Sequence, residues 1–207
     1  MSAERLIYLP LGGAGEIGMN AYVYGYGKPG KEKLILVDIG VTFPDMDGTP
    51  GVDLILPDIT WLKERRNDLE AIFITHAHED HVGAIGHFYS QLNVPIYTRA
   101  FTANIARRKL DEYGVEAKAV TTVSPWPQTT KAGPFTVGFL PISHSIPESS
   151  GLVIDTPDGP RAVEALQVGD LVETMDNGVQ PIRWVGCRTV RGRGDFAPIR
   201  FAPNAIG

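Results

Sequence analysis

Between Thr75 and His81 the chain reads Thr-His-Ala-His-Glu-Asp-His, which puts three imidazoles and two carboxylates into the six positions from His76 to His81. Neutral imidazole with hard carboxylate suits zinc or manganese rather than calcium. Histidines at i and i+2, then Asp and His at i+4 and i+5, let one tight loop present ligands to two adjacent points. Two ions so placed could generate a hydroxide near neutral pH and clamp a scissile centre between them. A single histidine is more often a satisfied core or surface residue. Five ligand-type groups in six positions reverse that reading, because so many groups costly to desolvate would not be gathered without a cation.

Such a loop must be held by regular elements. An apolar burst, Ala71 to Thr75, precedes it and reads as a strand. His81 to Leu92 reads as one helix, with Val82, Ile85, Phe88 and Tyr89 at helical spacing. Short apolar runs bounded by glycine or proline predict strands at Leu6 to Leu11, Ala21 to Tyr24, Lys33 to Asp38, Pro95 to Thr98 and Phe135 to Ile142. Helices are predicted over Ile59 to Arg66 and over Ala100 to Tyr113, the latter stopped by Gly114. Strands alternating with helices indicate an α/β architecture with ligands at strand ends.

Composition narrows the chemistry. The single cysteine, Cys187, has no partner for an internal disulfide or a thiolate zinc site, so a metal must rest on histidine and carboxylate. A net charge of −5 offers no global basic field for nucleic acid, which leaves a local site or a metal to bind a polyanion. The chain shows no membrane-length apolar stretch and no export signal, so it is read as soluble, cytoplasmic and without a membrane partner. The glycines at 12, 13, 15 and 18 lack a Gly-Lys-Ser/Thr continuation and read as a packing turn rather than a nucleotide loop. Trp61, Tyr97, Phe101 and Phe139 read as core, and Arg107, Arg108 and Lys109 as a solvated helix face. His87 reads as structural or solvated, and Glu79 as exposed or supporting.

The motif THAHEDH followed by VGAIG resembles the His-x-His-x-Asp-His signature of the metallo-β-lactamase superfamily. LPLGGAGEIGMN, LILVDIGVTFPD, GVDLILPDITWL and SHSIPESSG together resemble ribonuclease J, of the β-CASP branch, over about residues 5–157. The resemblance implies an αββα fold and RNA phosphodiester hydrolysis by a metal-bound hydroxide. It implies that His76, His78 and His144 ligate one metal and that Asp80 and His81 ligate a second and act in catalysis. It implies Zn2+ in two sites, or in only one of them, with Mn2+ as the other candidate metal. Asp38 matches the acidic residue that supports the ligand loop by hydrogen bonding.

The resemblance stops near the Thr-Pro-Asp-Gly string at 156–159. No Thr-Gly-Asp-Phe-like segment follows to supply a bridging aspartate, Gly169-Asp170-Leu171 has the wrong neighbours, and no histidine follows His144. The expectation is therefore an incomplete αββα domain over 1–157 with an incomplete site and impaired turnover. Residues 151–207 contain neither His nor Lys, and from about Thr156 they resemble the opening of a Hint domain, the fold of hedgehog autoprocessing domains and inteins. Asp170 to Thr174 and Ile182 to Val185 predict a β-hairpin around Asp176-Asn177-Gly178. Ser149 and Ser150 lie where a nucleophile would be sought, but with no later histidine self-cleavage is not expected. The two resemblances meet where a fusion of two genes would fall; one continuous gene with a repurposed tail is the other reading. A non-catalytic metal-binding remnant and an interaction or autoprocessing module are the alternatives to the hydrolase. An uncovered sheet face is expected to favour association between copies.

Overall fold

A computed structural model describes residues 3–44, 51–155, 171–174 and 178–181. Six strands form one sheet in sequence order: β1 Arg5–Gly12, β2 Ala21–Gly27, β3 Lys33–Val37, β4 Leu69–Ile74, β5 Ile96–Thr98 and β6 Val120–Thr122. β1, β2 and β3 pair antiparallel, and β3 to β6 run parallel. The parallel steps are crossed by helices α1 Thr60–Glu64, α2 Glu79–Val82, α3 Ile85–Leu92 and α4 Ala100–Asp111. A second, antiparallel sheet orders β7 Thr129–Ala132, β8 Phe135–Pro141 and β9 Ser150–Asp155.

The continuous apolar character of β3 and β4 follows from burial on both faces. Leu34, Leu36, Ile72 and Ile74 enter the core beneath the helices. Ile35, Ala71 and Phe73 enter a second core with Phe135, Val137 and Phe139 of the other sheet. The layers are thus helix, sheet, sheet. Phe73 lies between Tyr97 and Phe139, at ring-centroid distances of 5.4 and 6.2 Å. Phe135, Val137 and Phe139 of β8 are buried at every second position, as a strand with one buried face requires, and Leu140 near its end is exposed. Glu32 is fully buried and is balanced by Arg5 at 2.8 Å and Arg65 at 3.1 Å, which tie the start of β1, the turn before β3 and the end of α1 together.

The expected single helix over 81–92 is in fact two, α2 and α3. The chain after β3 docks into the break: Ile39 N–H donates to the His81 carbonyl at 2.8 Å, and Ala84 N–H donates to the Ile39 carbonyl at 3.0 Å. Those bonds take groups that a continuous helix would pair internally. Gly40 is required at this junction, because a Cβ there would collide with the Asp80 carbonyl. β6 and β7 were not foreseen; both are short, largely polar edge strands with little periodicity.

In the tail, β10 Leu171–Thr174 pairs antiparallel with β11 Gly178–Pro181. A hairpin forms here as predicted, and its first strand matches, but the second strand is Gly178–Pro181 rather than Ile182 to Val185. Asp170, Asp176, Asn177, Ile182 to Val185 and Cys187 lie outside the described residues. No helix among the described residues is long and apolar enough to cross a membrane.

Candidate metal centre

The His/Asp loop leaves the C-terminal end of β4 and turns into α2, next to the end of β3 where Asp38 sits. Asp38 is buried, with a left-handed φ of 60°. Its Oδ1 accepts the Thr75 backbone N–H at 2.7 Å, and its Oδ2 faces the Thr75 hydroxyl at 2.8 Å and His81 Nδ1 at 2.7 Å. These contacts assign protons. Because the Thr75 hydroxyl gives its hydrogen to Asp38, it can only accept from His76 Nδ1, 2.9 Å away. His76 therefore carries its proton on Nδ1 and turns the Nε2 lone pair outward, as a buried carboxylate does for a ligand imidazole.

That lone pair faces His78 Nδ1 at 3.1 Å, and His144 Nε2 reaches the same His78 nitrogen at 3.1 Å. Candidate ligand atoms from the three rings all lie within 4.8 Å of one another. Tetrahedral coordination at ordinary zinc–imidazole lengths separates ligand nitrogens by about 3.3 Å. The three rings stand at 74° to 87° to one another with centroids 4.8 Å apart, so they do not stack and their edges converge. The donor set fits a divalent ion.

His144 arrives from the loop between β8 and β9, far away in sequence. Glu148 fixes that loop: its carboxylate accepts the Phe101 N–H at the start of α4 at 2.6 Å and Arg99 at 3.2 Å. Ser150 N–H donates to the Thr75 carbonyl at 3.2 Å, which ties the loop directly to the end of β4. Ser149 and Ser150 are buried, each with its hydroxyl on a nearby carbonyl.

Asp80 and His81 lie beside the triad rather than within it. His81 Nε2 is 3.4 Å from Asp80 Oδ2, and the His81 ring centroid is 3.9 Å from that of His76. Asn20 Nδ2 meets the Asp80 carbonyl at 2.9 Å, Asp80 Oδ2 at 3.1 Å and His81 Nε2 at 3.2 Å. Asn20, Thr75 and Glu148 are site residues that the sequence reading did not single out. A threonine directly before the first histidine of the loop was the one available signal. Glu79 turns away to Lys109 at 2.8 Å, and His87 contacts Tyr113 away from the centre. Both are as expected. Arg107 is bonded to the Val120 carbonyl at 2.9 Å, so the basic helix face is partly spoken for.

Burial, then the like charges of His81, His78 and His144, pull the His76 imidazole down to about 4, against a smaller upward pull from Asp80. Burial also pulls His81 down, but its bond to Asp38 and the charges of Asp38 and Asp80 leave it above its ordinary range. Burial pushes the Asp38 carboxyl up against the bonds from His81 and Thr75. His76 is thus neutral at pH 7 and ready to ligate. In the metal-free chain its depressed value adds stability that is full above the ordinary 6.5 and lost as pH falls toward about 4, where the unfolded chain takes the proton first. Urea titrations of chelator-treated protein should show a decline on the order of 2–3 kcal/mol across that window, flattened in His76→Asn. A slope unchanged by the substitution would remove His76 as its source.

The beta-lactamase superfamily domain model matches residues 34–176, more than half of the chain. A Hint domain model matches residues 149–207. The chain is 46% identical over 173 residues to ribonuclease J of Sinorhizobium meliloti, covering 84% of this chain and 29% of that protein. It is 35% identical to ribonuclease J of Thermus thermophilus, covering 86% of this chain and 30% of that protein. To ribonuclease J of a Synechocystis species it is 39% identical, with 75% and 24% covered. The chain therefore spans less than a third of the length of these relatives.

Proposed function

The chain belongs to the beta-lactamase superfamily, and from that premise we propose that it is a metal-dependent hydrolase of ribonuclease J type acting on RNA phosphodiesters. The observation that carries this reading is the convergence of His76 Nε2 and His144 Nε2 on His78 Nδ1, each at 3.1 Å. His76, His78 and His144 would hold a zinc or manganese ion. Asp80 and His81 are the catalytic pair and, in the complete two-ion arrangement, the ligands of a second ion. A divalent ion bound there supplies Lewis acidity and a water acidified toward neutral pH.

The protein's own residues set up that chemistry. Asp38, through Thr75, holds His76 in the ligating tautomer. The Asp80 side chain is 39% exposed and open to a substrate, where it orients a water or accepts its proton. Asp38 holds His81 beside it. RNA is the partner this reading implies, in the cytoplasm. The metallo-β-lactamase part is placed at 1–157 and the Hint-like part at 158–207. Association between copies is part of this reading, through the sheet surface that carries Leu140 and Ile142, which are 44% and 50% exposed.

The test is cleavage of a fluorescent single-stranded RNA by the zinc- or manganese-loaded chain. The expected result is slow cleavage, abolished by chelator and reduced at least ~100-fold in His78→Ala. Cleavage of equal rate in His78→Ala would contradict the assignment. Full metal loading without any cleavage would favour a metal-binding role over a hydrolytic one.

A further inference from the structure

His144 is the one candidate ligand that does not sit on the loop after β4, and little packing holds it. Residues 141–145 are all exposed, so the turn between β8 and β9 is placed by polar anchors rather than by a core. Ile142 N–H closes the turn by donating to the Ser149 carbonyl at 3.0 Å. Among the described residues, side-chain hydrogen bonds join 142–148 to other elements at two places. One is His78, reached by His144 at 3.1 Å and by Ser145 at 3.5 Å. The other lies at the start of α4, where the Glu148 carboxylate accepts the Phe101 N–H at 2.6 Å and Arg99 at 3.2 Å.

The contact at α4 is a helix cap supplied from a distance. The first N–H groups of an α-helix have no partner within the helix, and the side chain just before it usually accepts one of them. α4 has Arg99 in that place, a side chain with donors only, and makes no cap bond of its own. Glu148, 47 residues after Phe101, provides the acceptor, and its negative charge suits the positive end of the helix. Arg99 is held in turn by the Val123 carbonyl at 2.8 Å, so it presents a fixed guanidinium to Glu148. Glu148 has a φ of 56°, a left-handed conformation uncommon for any residue but glycine, asparagine or aspartate. In that conformation its carboxylate reaches α4, while Ser150 Oγ donates to its carbonyl at 3.2 Å.

We infer that Glu148 is a positioning residue for the metal centre: by capping α4 it sets where His144 meets His78, and it links metal affinity to the order of the first turn of α4. The inference rests on the proposed role of His76, His78 and His144 as ligands. Such a link is reciprocal. An ion that holds His144 slows hydrogen exchange at the Phe101 amide, and loss of the cap weakens the hold on the ion. Glycine is the informative substitution at 148, because it removes the carboxylate and accepts a φ of 56° more readily than glutamate does. Glutamine keeps a carbonyl oxygen for the Phe101 N–H and loses the charge.

The test is calorimetric titration with zinc of wild type, Glu148→Gly, Glu148→Gln, His144→Ala and the variant carrying both Glu148→Gly and His144→Ala. Glu148→Gly is expected to bind zinc ~10–100-fold more weakly, the range for losing a supporting residue, with Glu148→Gln between it and wild type. On the His144→Ala background the same glycine should change affinity less than ~2-fold, because Glu148 acts through His144. Wild-type affinity in Glu148→Gly would overturn the proposal, and so would an equal loss on both backgrounds, which would make Glu148 a structural residue of α4. Phe101 amide exchange should be slowed by zinc in wild type and not in Glu148→Gly; slowing of equal size in both would break the link. Nuclear Overhauser contacts between the His144 and His78 rings, recorded in chelator, decide the positioning without metal. They should be present in wild type and lost in Glu148→Gly, and their survival would overturn the proposal. A wild type that takes up no zinc would remove the ligand assignment, and the ring contacts would still decide the role of Glu148.

Discussion

Replacing Asp38 by alanine is expected to lower the stability of the metal-free chain by about 4 kcal/mol, a large share of what holds a domain of this size folded. Asp38 is 2% exposed and takes three hydrogen bonds, from the Thr75 N–H, the Thr75 hydroxyl and His81 Nδ1. Alanine relieves the desolvation of one carboxylate, which favours the variant. Against this, it strands the Thr75 amide and the His81 ring proton, at about 1–3 kcal/mol each. It also places a residue with no local acceptor at φ 60°, where Asp and Asn are better tolerated. The stranded donors outweigh the relief, as is usual when one partner of a buried polar group is removed. Asparagine at this position would keep one carbonyl oxygen and the backbone tolerance. Asp38→Asn should therefore lose less stability but ~10–100-fold in zinc affinity, because His76 is no longer held in one tautomer. Urea unfolding in chelator measures the first effect, and a loss below about 1 kcal/mol for alanine would show that Asp38 does not organise the loop.

The second large effect concerns His78. Its Nδ1 is the atom that both other imidazoles approach, at 3.1 Å, so it is the vertex of the histidine cluster. His78→Ala leaves two imidazoles and no geometry that encloses an ion. The expected loss of zinc affinity exceeds ~100-fold, beyond the usual range for losing a supporting residue. His78 is partly exposed, and its hydrogen bonds run to the other site imidazoles and Ser145. The substitution should therefore leave the metal-free fold nearly unchanged, within ~0.5 kcal/mol. Calorimetric titration with zinc, alongside urea unfolding in chelator, separates the two effects. Affinity within ~10-fold of wild type would mean that the ion rests on other residues.

How much of this could be read from the chain depends on where each signal lies. The double-sided burial of β4 was legible as an unbroken apolar run, and the ligand loop as a density of imidazole and carboxylate that a folded protein does not assemble without cause. Their adjacency fixed the site at a strand end. His144 was weak on its own residues, since a histidine beside serines is more often a solvated loop residue than a ligand. The resemblance pointed to it, and the fold brings it to His78 through Glu148 on the start of α4. The division of the helix after Val82 could not be read from periodicity, because its cause is a distant, earlier segment: Ile39 takes the carbonyl of His81 and satisfies the amide of Ala84. Asn20 was invisible for a similar reason. An asparagine after a glycine turn has no periodic signature, and its role arises from a sheet pairing that carries it to Asp80. β6 and β7 escaped because polar edge strands of three and four residues lack enough alternation to stand out.

Three imidazoles enclosing one divalent ion should leave a distinct signature in X-ray absorption at the zinc edge, recorded on wild-type protein loaded with one equivalent. The expected spectrum has nitrogen or oxygen neighbours at about 2.0 Å, with outer-shell scattering that counts three imidazoles and falls to two in His144→Ala. A first shell containing sulfur from Cys187, or an oxygen shell without imidazole scattering, would show that the ion does not rest on these three histidines.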